Sequence, residues 1–230
     1  MSFNLRINTN RLISRIKKLG EIGSIDGGGV CRLALSDEDR KGRDLVIEWM
    51  KKLGLKITID QIGNVIAIKE GKENGNPVMT GSHIDTVATG GIYDGNLGVL
   101  GGLEVIETLC DAEIVTRKPI GVGFFTNEEG SRFAPDMMGS GVHQGSLELN
   151  LMLEVKDMDG KSVGEELEKI GYAGKTLTNS FRADSFIELH IEQGTILDLE
   201  NYEIGAVESV QGISWNEYKI FGTANHAGTT

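Results

Sequence analysis

An α/β sandwich, with helices packed on a sheet, is the fold this sequence predicts. Two observations carry that prediction. Amphipathic helical segments alternate with short apolar runs of strand type, and three of those runs end in polar clusters rather than plain turns. At 230 residues the chain is long enough to bury a substantial core.

The elements follow in order. "NTNRLISRIKKLGEIG" carries Leu12, Ile13, Ile16 and Leu19 at helical spacing with polar residues between them. "SDEDRKGRDLVIEWMKKLGL" opens on Ser36 with acids in its first turn and closes on Lys51, Lys52 and Gly54, which are helix start and stop signals. "LKITIDQIGNVIAIKEG" then alternates apolar and polar residues around Gly63-Asn64 and predicts two paired strands. "PVMTGSH" predicts a short buried strand. "GNLGVLGGLEVIETLCD" reads as a helix although Gly95, Gly98, Gly101 and Gly102 cost it stability, so it must pack very closely against something. "PIGVGFFTNEEG" predicts a second buried strand. "KSVGEELEKIGY" predicts a surface helix with Ser162 and Glu165 as a capping box. "SFIELHIEQG" predicts a third strand, with Ile187, Leu189 and Ile191 on one face.

Composition narrows the function classes. Asp and Glu outnumber Lys and Arg by 34 to 23, for a formal net charge of -11. Such a surface repels phosphate backbones, which argues against nucleic acid as a partner, and it fits a cytoplasmic enzyme. "MSFNLRINTNRLISRIKKLG" lacks the apolar core of a secretory signal. No apolar run reaches the roughly 18 residues of a membrane span, so no membrane partner is expected. Cys31 and Cys110 form no disulfide framework and have no zinc-type spacing.

The quoted polar clusters hold the chemistry. "GSHIDTVATGGIYDG" contains His83, Asp85 and Asp94, "FTNEEG" contains Glu128 and Glu129, and "ELHIEQG" contains His190. Open α/β sheets place ligands beyond the carboxyl ends of their strands, so His83, Asp94, Glu128, Glu129 and His190 are expected to converge. Taken singly, a histidine at a strand end is more often a hydrogen-bonded structural residue, and a Glu-Glu pair is usually solvated surface. Jointly, two imidazoles and several carboxylates are a ligand set for zinc, cobalt, nickel or manganese. Asp85, two residues after His83, suits a carboxylate that holds the ring's other nitrogen. Of two adjacent acids, one can ligate while the other takes a proton from the attacking water. His143, with no acidic neighbour in sequence, is read as structural.

"GSHIDTV…GGIYDGNLGVLGGLEV", "FTNEEGSRF", "ELHIEQG" and "NHAGTT", in this order, resemble the hydantoinase/carbamoylase amidase family. That family contains N-carbamoyl-L-amino acid hydrolases, allantoate amidohydrolases and β-ureidopropionases, within the dinuclear-metal exopeptidase and aminoacylase superfamily. The resemblance implies a mixed-sheet α/β sandwich of the dizinc exopeptidase type and the start of an α+β lid or dimerisation domain. Residues 1–210 would be the N-terminal part of the metal-binding catalytic domain, and 211–230 the beginning of the lid.

The resemblance also implies roles. His83 and His190 would bind one metal, and Asp94 would bridge to a second held by Glu129. The ions would be divalent, zinc first, with manganese, cobalt or nickel as alternatives. Glu128 would be the general base and acid, Asp85 would support His83, and Gln193 would contact the substrate. His226 would polarise the amide oxygen across a homodimer formed through the lid. Family members are considerably longer, so the chain is expected to be an N-terminal portion; the rest of the lid, a substrate-gripping arginine and a last metal-binding histidine would follow. The expected activity is hydrolysis of the carbamoyl C–N bond of N-carbamoyl-L-amino acids, small molecules. Allantoate or ureidopropionate hydrolysis, an aminoacylase- or dipeptidase-like activity, and a non-catalytic truncated remnant are the alternatives.

Overall fold

The computed structural model describes residues 4–214, 216 and 218–229. The chain divides into two compact units, one running to Ile191 and the other from Glu192 onward.

The first unit is built on helices α1 (Thr9–Gly20) and α2 (Asp37–Lys52), and strands β1 (Lys56–Ile59), β2 (Val65–Lys69) and β3 (Val78–His83). Helix α3 (Asn96–Asp111), strand β4 (Ile120–Phe125), helices α4 (Met138–Gln144), α5 (Leu149–Glu154) and α6 (Val163–Ile170), and strand β5 (Ser185–Ile187) follow. The five strands form one sheet in the order β1-β2-β4-β3-β5. β1, β2 and β4 pair antiparallel, whereas β3 runs parallel to both β4 and β5. The sheet is therefore mixed, and its three parallel strands point their carboxyl ends the same way.

The helix signals act as the sequence indicates. Asn8 caps α1, and its side chain accepts the Arg11 N–H. Ser36 caps α2 by accepting the Asp39 N–H, and Ser162 and Glu165 form a reciprocal capping box on α6. Leu12, Ile16 and Leu19 of α1 join Val46 and Met50 of α2 in one apolar core with Val99, Leu100 and Leu103 of α3 and Val122 and Phe124 of β4.

The glycines of α3 have the packing reason that their number demands. A Cβ on Gly98 would stand 2.8 Å from the Ser82 Cβ, and one on Gly102 would collide with the Thr80 side chain of β3. The helix thus lies almost directly on β3, an approach that side chains would prevent.

Two expectations change. The third strand is shorter and more exposed than the apolar alternation suggests: β5 covers only three residues, and Phe186, Ile187 and Leu189 are all exposed. The reason is its place at the sheet edge, where β3 is its one partner among the described residues. In the second unit, the strand expected across Ile213, Lys219 and Phe221 is not formed among the described residues; Trp215 and Glu217 lie outside them. Among the described residues that unit holds no strand for it to pair with, and an unpaired strand leaves its backbone groups without ladder partners. The unit contains a short helix α7 (Ile196–Glu200) instead, started by Glu192, whose carboxylate accepts the Ile196 and Leu197 N–H groups.

Candidate active site

The carboxyl ends of the parallel strands carry the site. In the ladder His83 at the end of β3 stands opposite Phe125 at the end of β4, three residues before Glu128. His190 follows three residues after the end of β5. Parallel registration therefore gathers residues that the sequence separates widely.

His83 is buried at 2% exposure and tightly oriented. Its Nδ1 lies 2.9 Å from the backbone carbonyl of Asp85. A carbonyl oxygen can only accept, so Nδ1 carries a proton, and in the neutral ring Nε2 is the atom that presents a lone pair to the site. That Nε2 stands 3.3 Å from Glu128 Oε2. The ring is held from above by the loop that carries Asp94. Gly95, at φ +64°, lies so close that a Cβ there would be 2.6 Å from His83 Cε1 and Nε2. Only glycine satisfies both that backbone conformation and that contact.

His190 repeats the arrangement in an exposed setting. Its Nδ1 lies 2.7 Å from the Ile191 carbonyl, and its Nε2 faces Asp94 Oδ1 at 3.4 Å. The site is thus two acid–imidazole pairs, and in each Nε2 is turned toward a carboxylate.

Asp85 does a different job from the one its spacing suggests. Its carboxylate is 3.8 Å from His83 Nδ1, beyond hydrogen-bonding distance, and it is the backbone carbonyl that holds the ring. The carboxylate instead accepts from two successive backbone amides, Oδ1 from Glu128 and Oδ2 from Glu129, each at 3.3 Å. One fully buried acid thereby anchors both glutamates to the strand of His83.

The surrounding frame is rigid. Arg32, wholly buried, donates to the carbonyls of Ile84, Leu19 and Ile22 and to Asn96 Oδ1, tying the end of β3 to the start of α3. Asn64 accepts the Thr126 N–H and donates to Gly139 O and Asp60. Asn127, at φ +52°, donates to the carbonyls of Phe133 and Pro135. The loop bearing Glu128 and Glu129 is fastened on both sides.

Crowding raises the proton affinity of these acids. Burial pushes Glu128 up, and the charges of Asp85, Glu129 and Glu188 add to it, against the opposing pull of His83. Burial likewise raises Glu129, helped by Asp94 and Asp85. Asp85 is raised by burial, with His83 opposing. For His83 burial works downward, but the charges of Asp85, Glu128 and Glu129 outweigh it and the imidazole ends above its ordinary value.

These features fit a divalent cation by donor chemistry. Two imidazole Nε2 atoms facing carboxylates, beside Glu128, Glu129 and Asp85 whose ionisation is opposed by burial, form a region that a positive ion would relieve. The arrangement is one of pairs, however: among the described residues no group of three or more His, Cys, Asp or Glu is poised around a single point. Gln193 and His226 belong to the second unit. There His226 Nδ1 accepts the Gly228 N–H at 3.1 Å, and its own N–H donates to Asn225.

His143, read as structural, lies in the wall of a cavity of about 670 Å³ that Glu128 and Ser82 also line. Its ring packs against Phe125 and Phe181, with centroids 6.1 and 5.6 Å apart. No local pattern announces this role, because the cavity is assembled from α4, the end of β4 and the segment before β5.

The sequence profile of Peptidase family M20/M25/M40 matches residues 79–227, well over half of the chain and all of the proposed site residues. The chain belongs to this family. Within M20/M25/M40, an N-carbamoyl-L-amino-acid amidohydrolase of Rhizobium meliloti is 42% identical over 228 residues, covering 99% of this chain and 55% of that protein. An allantoate amidohydrolase of Bacillus subtilis is 34% identical, covering 96% and 54%. The crystal structure of a hydantoinase/carbamoylase family amidase from Burkholderia multivorans superposes with a TM-score of 0.85 at 48% identity, covering 86% of this chain and 49% of that one. The chain spans about half the length of the curated relatives it matches. Among the described residues no helix is long and apolar enough to cross a membrane.

Proposed function

We propose that this chain carries the metal-binding part of an amidohydrolase that cleaves the carbamoyl C–N bond of N-carbamoyl-L-amino acids. The single observation behind it is the pairing of His83 with Glu128 and of His190 with Asp94 at the ends of parallel strands, both Nε2 atoms turned inward. The names of the relatives support the carbamoyl substrate. The same relatives keep allantoate as a second reading.

In this reading His83, Asp94, Glu129 and His190 would hold the divalent ions, zinc first. Such ions, when bound, polarise the carbamoyl carbonyl and acidify water. Glu128 takes the proton of the attacking water on Oε2 and returns it to the leaving nitrogen. Its raised proton affinity suits a group that must hold a proton between two steps. Asp85 keeps Glu128 and Glu129 in fixed register with His83 through their backbone amides. Gln193 contacts the substrate, and residues 211–230 begin a lid through which two chains pair, His226 serving the oxyanion across the dimer. The enzyme works in the cytoplasm.

The test is ammonia release by the full-length protein from N-carbamoyl-L-amino acids, ureidopropionate and allantoate, with metal content measured in parallel. Turnover of allantoate alone would move the assignment to the second reading. A protein that releases ammonia from none of them would end both.

A further inference from the structure

The cavity beside Glu128 has a chemistry that the proton-transfer residues do not use. Phe125, Phe181, Phe186 and His143 put four rings into its wall, with Phe125 touching both His143 and Phe186 at centroid separations of 6.1 and 6.2 Å. Its volume of about 670 Å³ falls among small-molecule sites, which run from about 300 to 1,000 Å³. Glu128 lies in the same lining, so a molecule whose scissile bond sits at Glu128 has one substituent within reach of these rings. A small or strongly polar substituent would leave them facing water. An aromatic one would meet them edge-to-face or offset, the arrangements that rings prefer.

We propose that this cavity receives the side chain of the substrate and selects aromatic and other large apolar side chains. The proposal rests on the amidohydrolase reading above for the identity of the bond cleaved, and on the ring-lined cavity alone for selectivity. Arg182 at the exposed rim makes an acidic side chain the rival occupant. Two residues of one segment then divide the labour: Glu128 faces the reacting atoms, while Phe125, three residues earlier, faces the part of the substrate that does not react.

Full-length protein carrying its divalent ions is compared on N-carbamoyl-L-phenylalanine, N-carbamoylglycine and N-carbamoyl-L-aspartate, by kcat/KM and by calorimetric binding. The phenylalanine derivative is expected to lead the glycine derivative by about tenfold or more, the scale on which apolar pockets discriminate. Phe181→Ala, which opens the wall, and Ser140→Trp, which fills the cavity, should each reduce that ratio about tenfold while circular dichroism reports an intact fold. A ratio unchanged in both folded variants, or a wild-type preference for the aspartate derivative, overturns the proposal. If no ammonia is released, the amidohydrolase reading fails, and binding still judges the cavity: retained preference for the phenylalanine derivative upholds it, equal binding overturns it.

Discussion

The two histidines of the candidate site each face a carboxylate, in opposite surroundings. His83 is 2% exposed and is gripped by the Asp85 carbonyl, by Gly95 and by a loop that Asp85 anchors. The His190 side chain is 41% exposed, follows a three-residue edge strand and is held through its neighbour's carbonyl. The difference teaches that one half of the site is set by burial before any ligand arrives. The other half keeps its geometry through few contacts and stands to gain most from whatever binds there.

The largest expected effect sharpens the contrast within the buried half. Glu128→Gln keeps the shape and the backbone bond to Asp85 but removes the proton acceptor. Turnover of the full-length protein should fall about a hundred- to ten-thousand-fold with metal content unchanged; loss of metal in proportion to activity would show that Glu128 is a ligand and not a base.

Next comes the shared anchor. Asp85→Asn presents an NH2 group to one of two amides that need an acceptor, and should cost about 10- to 100-fold in metal affinity or activity. His190→Ala should lower metal affinity as well, yet leave the unfolding midpoint almost unmoved because its surroundings are solvent. Equal destabilisation by Asp85→Asn and His190→Ala in denaturant titrations would erase the distinction between the two halves.

Gly95→Ala tests the roof over His83. The substitution strains the backbone at φ +64° and drives a methyl into the imidazole. A loss of about 1–3 kcal/mol of stability is expected from strain of this type, together with weaker metal binding; a stable variant with full metal content would show that the loop is free to lift.

A pH titration probes the frame beneath the buried half. Burial raises the Asp60 carboxyl to about 6 although Asn64 and Ile62 donate to it. The folded chain therefore holds that proton at a pH where the unfolded chain has released it. The contribution is greatest below the ordinary value of 3.8 and is lost as pH rises toward about 6. Asp60→Asn should flatten the decline of stability across that window, measured by urea unfolding; an unaltered slope would place the proton elsewhere.

The smallest effect is the control. Ser162→Ala removes the exposed α6 cap and should cost about 1 kcal/mol while leaving metal content and rate alone.

Much of this was legible in the residues, for identifiable reasons. Capping side chains act within one turn, so Ser36 and Ser162 announced α2 and α6 directly. The period-2 alternation around Gly63-Asn64 gave the β1-β2 pair, and the strand-end reading anticipated the pairs that form, His83 with Glu128 and His190 with Asp94, but not their separation into two pairs rather than one cluster. What failed depends on distant partners. The short length of β5 follows from having β3 on one side, which no local pattern encodes. The true contact of Asp85 is with amides 43 and 44 positions away. His143 gains its place from two rings distant in sequence, Phe125 and Phe181. The helices α4, α5 and α7 were not anticipated, each being too short for a periodic signal.

The glycine face of α3 bears on how such a protein could be made hardier. Replacing helix glycines with alanine is a routine route to thermostability, worth roughly 0.5–1 kcal/mol each where the site is open. Here that recipe is inverted. Methyl groups on Gly98 and Gly102 would press on Ser82 and Thr80 and lever the helix off the strand that ends in His83. Asp94 sits just before the helix and would travel with it, so heat resistance gained in helical propensity would be surrendered in the alignment of the acid with its imidazole. Hardening is better sought at the exposed positions of α1 and α2.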